Sequence, residues 1–203
     1  MIEFDLIRRR VMPVCPGAAE PLVDTHILDA ARTFCERTRA WKFDDEYDTE
    51  AETEYLAAPY GAEVFEIRNA SWNGRALEAR TQYELDHYDP DWRDRNVGNP
   101  SVITQDEFGS FRVVPHAPGR LRVSMVMKPA IDADQLPDVL AQYAEAIAWG
   151  ALSTILVIPK QSFSAPELGM MYAQKFERRL RTLTSQIAKG PQGARMRTIP
   201  SWF

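Results

Sequence analysis

Cysteine and histidine are scarce in this chain, with two of the first and three of the second in 203 residues. Cys15 and Cys35 cannot furnish a four-ligand zinc site by themselves, and His26, His87 and His116 are too scattered to complete one. Nor do two thiols make a disulfide framework. A bond between Cys15, in a proline-flanked loop, and Cys35, on a helix face, has only the even count in its favour, and the chain reads as reduced and cytoplasmic. Glycine is never clustered: Gly61, Gly74, Gly98, Gly109 and Gly119 stand singly as turn residues, so no phosphate-cradling loop is formed. There is no Gly-x-Ser-x-Gly nucleophile elbow. A net basic charge is missing too. The formal charge of −5 excludes a generally basic nucleic-acid binder, though not a local basic patch. The longest apolar stretch, around 144–158, is too short for a membrane span and reads as a buried helix. The opening Met1-Ile-Glu-Phe-Asp, soon followed by Arg8-Arg9-Arg10, does not have the form of a signal peptide.

What is present suffices for a core. With 45% hydrophobic and 26% charged residues, the chain fits one globular domain over residues 1–203, elaborated by an insertion. A short apolar segment, Phe4 to Val11, leads into the loop Met12-Pro13-Val14-Cys15-Pro16-Gly17. Pro21 suits a first helical turn, and Val23, Ile27, Ala31, Phe34, Thr38 and Trp41 recur at helical steps. The acids from Asp44 to Glu54 lack the central glycine and ligand spacing of a calcium loop, and read as a solvated acidic strand or loop. From Tyr55 to Lys128 the period moves toward two. Asn73-Gly74 between two alternating runs is a hairpin signal, and a polar helical turn is expected from Thr81 to about His87. Further strands are expected at 101–104, 111–114 and 121–127. Pro137 opens a helix whose apolar face runs through Val139, Leu140, Tyr143, Ile147, Ala151, Leu152 and Ile155, with Gly150 admitting a neighbour closely. After Pro159, Ser164-Ala165-Pro166-Glu167 caps a long helix that stops at Lys189-Gly190.

The expected fold is therefore α+β. A helical bundle, built from an N-terminal helix and two C-terminal ones (1–42 and 130–190), carries an inserted small antiparallel β region (43–129) and an extended tail (191–203). The order of elements makes the first helix pack on the last two.

Candidate chemistry is thin. His26 and Cys35 lie over two turns apart on one helix, too far for a nucleophilic dyad. His87 sits among Asp86, Asp89 and Asp91, a set that could hold a cation for hydrolysis. Asp and Pro stopping a helix explain the same residues more simply. No catalytic, cofactor-binding or metal-binding residue is assigned, and the chain is read as not an enzyme. Charge is more informative. Lys175, Arg178, Arg179, Arg181, Lys189, Arg195 and Arg197 face only Glu177, and the tail ends in Trp202-Phe203. Arginine and large aromatics together are typical interface anchors. Arg195, Arg197, Ile199, Trp202 and Phe203 are accordingly the candidate contacts for a partner.

The ordered set of short motifs resembles the head-to-tail adaptor (connector) family of tailed bacteriophages, whose members include tail tubular protein A of short-tailed phages. The helix Ala30-Ala31-Arg32-Thr33-Phe34-Cys35-Glu36-Arg37-Thr38-Arg39-Ala40-Trp41 carries the resemblance first. Tyr55 to Pro59, the hairpin from Val64 to Leu77, Gly98-Asn99-Pro100, Pro115 with Pro118, Ala148-Trp149-Gly150-Ala151-Leu152 and Ala173 to Phe176 follow in order. The resemblance implies a structural virion protein of the neck, assembled in the host cytoplasm. It further implies a homo-oligomeric ring, commonly of twelve subunits, between the portal protein and the tail nozzle or tube, with DNA passing through without specific binding and with no membrane involved. In such rings the helical part faces the portal and C-terminal segments often grip it. A completion ring at another virion joint, a small metal-dependent hydrolase around His87, and a DNA-binding regulator using the last helix are the competing readings.

Overall fold

The computed structural model describes residues 2–49, 56–94, 98–105 and 110–189. They fall into two compact units. One is discontinuous, formed by Met1–Ala40 with Gln135–Phe203, and the other is the continuous stretch Trp41–Asp134.

The first unit is a packing of helices around one apolar member, α4 (Ala144–Ile155), whose residues Ala144, Ala146, Ile147, Ala148, Gly150, Ala151, Leu152 and Ile155 are all buried. A helix apolar nearly all round must be covered on several sides. α1 (Asp5–Val11), α2 (Glu20–Thr38) and α5 (Pro166–Lys189) provide that cover. Gly150 sets the closest approach, since a Cβ there would stand 2.9 Å from the Ala30 methyl and 3.0 Å from Phe176 Cζ. α1 is fastened to α2 by Arg8, whose Nε and Nη2 donate to the two oxygens of Asp24 at 2.9 and 2.7 Å. A bidentate pair of this kind fixes orientation as well as distance. A two-residue ribbon completes the unit, β1 (Ile2–Glu3) running antiparallel to β9 (Gln135–Leu136).

Three expectations change here. Most of the segment 4–11 is a helix, α1, rather than merely an apolar run; Ile7 and Val11, one turn apart, are its buried face. The helix expected from Pro137 starts instead as a 3-10 helix, Asp138–Tyr143, and becomes α4 only at Ala144. The break leaves the Tyr143 ring packed on Phe34 of α2, centroids 5.0 Å apart. Trp41 does not extend the α2 stripe, because Arg39 adopts the left-handed conformation and ends the helix. Trp41 packs instead on the core of the second unit, where its carbonyl accepts from the Met127 N–H.

The second unit is a sheet whose described strands lie in the order β2-β8-β4-β5-β6-β7-β3. These are β2 (Lys42–Thr49), β3 (Leu56–Ala57), β4 (Ala62–Trp72), β5 (Arg75–Ala79), β6 (Val102–Gln105), β7 (Ser110–Val114) and β8 (Gly119–Pro129). The Asn73-Gly74 turn closes the β4–β5 hairpin with positive φ at both residues, 47° and 80°, as a two-residue primed turn requires. The expected small antiparallel region is thus larger and mixed: β5 and β6 run parallel, Glu78 opposite Val102. Parallel neighbours need a crossover, and α3 (Gln82–Tyr88) lies in it. A capping box starts α3, with Thr81 Oγ1 accepting from the Glu84 N–H and the Glu84 carboxylate accepting from the Thr81 N–H. Leu85 of α3 and Trp92 close over Val102 and Val114 as a small second core. The main core gathers Val64, Trp72, Ile103, Phe111, Leu121, Met125 and Met127, among others. β4 slips register twice against β8, between Val64 and Glu66 and between Ile67 and Asn69, and such bulges bend the long strand.

Candidate assembly surfaces

α5 owes its position to one stripe of residues and its availability to the other. Phe176, Leu180 and Leu183 are buried, on the i, i+4, i+7 spacing that keeps one face on a core. The outer face is exposed and carries Met171, Gln174, Lys175, Arg178, Arg179, Arg181, Thr182 and Ser185. The Lys175 ammonium lies 5.2 Å from the Tyr172 ring centroid and 6.0 Å from that of Trp149, within cation–π range. Arg178, Arg179 and Arg181 form no ion pair with any described residue. The one acid among them, Glu177, faces sideways and holds Arg37 of α2 at 3.2 Å.

In the second unit the described part of the acidic run, Asp44 to Asp48, becomes a sheet edge. β2 alternates strictly: Lys42, Asp44, Glu46 and Asp48 are exposed, while Phe43, Asp45 and Tyr47 are half-buried and Thr49 is buried. Antiparallel register sets Glu46 opposite Arg122 and Asp48 opposite Arg120 on β8. Glu46 accepts from Arg122 at 2.5 Å, Asp48 lies 3.7 Å from Arg120, and Ser124 donates to Asp44. A groove of about 660 Å³ runs over this face, bordered by Asp44, Glu46, Asn69, Ser71, Arg122 and Ser124. A third exposed feature is apolar. Tyr60, 97% exposed, and Ile131, 75% exposed, flank the hydrogen bond from the Ala130 N–H to the Gly61 carbonyl.

Several of the residues weighed for catalysis make structural contacts. His26 Nδ1 lies 2.8 Å from Thr154 Oγ1, and burial lowers the pKa of the ring. Cys35 is buried and its thiol is pushed up to about 12 by desolvation, leaving it protonated and inert. Cys15 is also buried and free, with its Sγ 3.2 Å from the Val11 carbonyl. Asp86 accepts from Trp92 Nε1 at 2.8 Å and from Arg93, and these bonds, Arg93 first, hold its carboxyl below the usual range. The His87 ring meets Tyr88 edge-on, centroids 5.1 Å apart. Among the described residues no group of three or more His, Cys, Asp and Glu converges as metal ligands would.

The tail residues Arg195, Arg197, Ile199, Trp202 and Phe203 lie outside the described residues, as do the acids Glu50, Glu52 and Glu54, Gly109, and Gly190, which is expected to stop the last helix. Sequence reasoning marked the basic face of α5 but missed that Arg120 and Arg122 stand behind the acids of β2. The alternation of Asp44, Glu46 and Asp48 was the available signal; the pairing partner was not, because register between strands distant in the sequence is set by the whole sheet.

Comparison with known proteins adds one positive result. No curated protein matches the chain. A sequence-family model described as SU10 adaptor protein matches residues 4–198, which takes in both units and the tail as far as Arg197, but not Ile199, Trp202 and Phe203. The chain therefore belongs to the SU10 adaptor protein family, a family of phage adaptors.

Proposed function

We propose that this chain is a structural head-to-tail adaptor of the virion neck, forming a ring between the portal and the tail around the path of the DNA. The family match over residues 4–198 carries the reading. An adaptor must present several protein-binding surfaces at once. The open basic face of α5, the charged edge at β2 and the apolar pair Tyr60 and Ile131 are surfaces of that kind. Exposed apolar side chains rimmed by charge are the usual mark of protein contacts. The role proposed for the chain is mechanical rather than catalytic, and the Asp86 carboxylate and the His26 ring are used to hold elements together.

Arg195, Arg197, Ile199, Trp202 and Phe203 are proposed as the portal contacts. They come after α5 in the sequence and combine guanidinium groups with large aromatics, the residue types that dominate binding energy at interfaces. Antibody labelling of purified virions tests the position. Gold is expected at the neck, between head and tail. Label at the distal tail, or none on mature particles, would overturn the assignment.

A further inference from the structure

We propose that the open basic face of α5 is the seat for the acidic face of β2 from a second copy of this chain. The inference rests on the reading above that copies assemble, and names the surfaces by which they would meet. On the receiving side, Arg178, Arg179 and Arg181 are exposed on one helix and no described acid pairs with them. Glu177, the acid between them and Lys175, is committed to Arg37. On the donating side, Asp44, Glu46 and Asp48 share the exposed face of an edge strand, with Asp48 86% exposed. Arg120 and Arg122 lie one strand inward, so the acids form the outermost row. The sequence carries the same sign onward through Glu50, Glu52 and Glu54 without a lysine or arginine.

The spacings suit each other. Alternate residues on a strand place Asp44 and Asp48 about 13 Å apart, and Lys175 to Arg181 rises about 9 Å along α5, a difference that arginine side chains span. Each chain carries both signs, on different units. A contact between unlike patches is heterologous: it leaves the pair with one free face of each kind, one on each copy, and so propagates until a rotation closes it into a ring. Duplex DNA is the weaker occupant, because a chain of net charge −5 repels a polyanion beyond the immediate patch.

Two variants of the full chain test this, R178E/R181E and D44K/D48K, the second sparing the Glu46–Arg122 pair. Circular dichroism and melting first establish that both are folded. By sedimentation velocity at low salt, wild type is expected to self-associate, each variant alone to associate roughly tenfold or more weakly, and their equimolar mixture to recover. Recovery is the decisive result, since in the mixture every acidic strand again finds a basic helix. Variants that associate like wild type, or a mixture that does not recover, overturn the inference while leaving assembly through other surfaces intact. A wild-type chain that stays monomeric overturns the inference, and the ring reading is then decided by loading onto the portal. Retention of duplex DNA lost in R178E/R181E, with self-association unchanged, assigns the face to nucleic acid instead.

Discussion

Gly150 lies midway along α4, where α2 and α5 both press on it. An alanine there would gain about 1 kcal/mol of helix propensity. Its methyl would also meet Ala30 Cβ at 2.9 Å and Phe176 at 3.0 Å, on two different helices. Overpacking of a close-packed core costs about 1–3 kcal/mol, and neither helix can retreat without uncovering α4. Gly150→Ala is therefore expected to lower the urea midpoint modestly and Gly150→Val to lower it much more. An unchanged or raised midpoint would mean that α4 is not clamped as described. Some of this detail is visible in the sequence: a glycine inside an apolar helical run already suggests close approach, and Asn73-Gly74 announces its turn. The partners are not visible, because Ala30 and Phe176 are ordinary helix residues until the fold brings them together.

At the scale of elements, the instructive case is α3. Its capping box at Thr81 and its proline and aspartate boundary are local signals, and so its existence is legible. That it crosses between two parallel strands is not, since no local pattern distinguishes β5 and β6 from antiparallel neighbours. The crossover is fastened by Asp86, which accepts from Trp92 Nε1 and from Arg93, while Arg112 and Arg93 lie 5.1 and 4.4 Å from the Trp92 ring. These bonds depress the pKa of Asp86. A carboxylate depressed in the folded state contributes stability that is fully present above its unfolded value and is lost as pH falls through the folded value. The melting temperature of Asp86→Asn should thus lie below that of wild type at neutral pH, with the gap closing below the carboxylate range. A gap that stays constant with pH would show that the charge on Asp86 is not what holds the crossover. α1 was missed for the opposite reason. Two turns with three arginines offer too little periodicity, and its helix is held by Asp24 and by α4 rather than by its own propensity.

At the scale of the whole molecule, the chain separates charge as clearly as it separates its two units. Asp44 to Glu54 is acidic and Lys175 to Arg197 basic, within a total of −5. The proposed role at protein contacts rests on that segregation, on the apolar pair Tyr60 and Ile131, and on membership of a phage adaptor family. The α+β class and the helices α2, α4 and α5 could be read from periodicity, because each buries a continuous stripe. The size and mixed pairing of the sheet could not, because short strands gain their identity from neighbours far along the chain. In the proposed role, copies of this chain form a ring on the portal. Native mass spectrometry of the purified chain mixed with the portal of the same phage, with and without residues 191–203, tests it most directly. The full chain is expected to load in a number matching the portal's own subunits, and removal of 191–203 to abolish loading while leaving the fold intact. A chain that never loads, or a truncated chain that loads equally well, would contradict the adaptor position in the first case and the tail's role in the second.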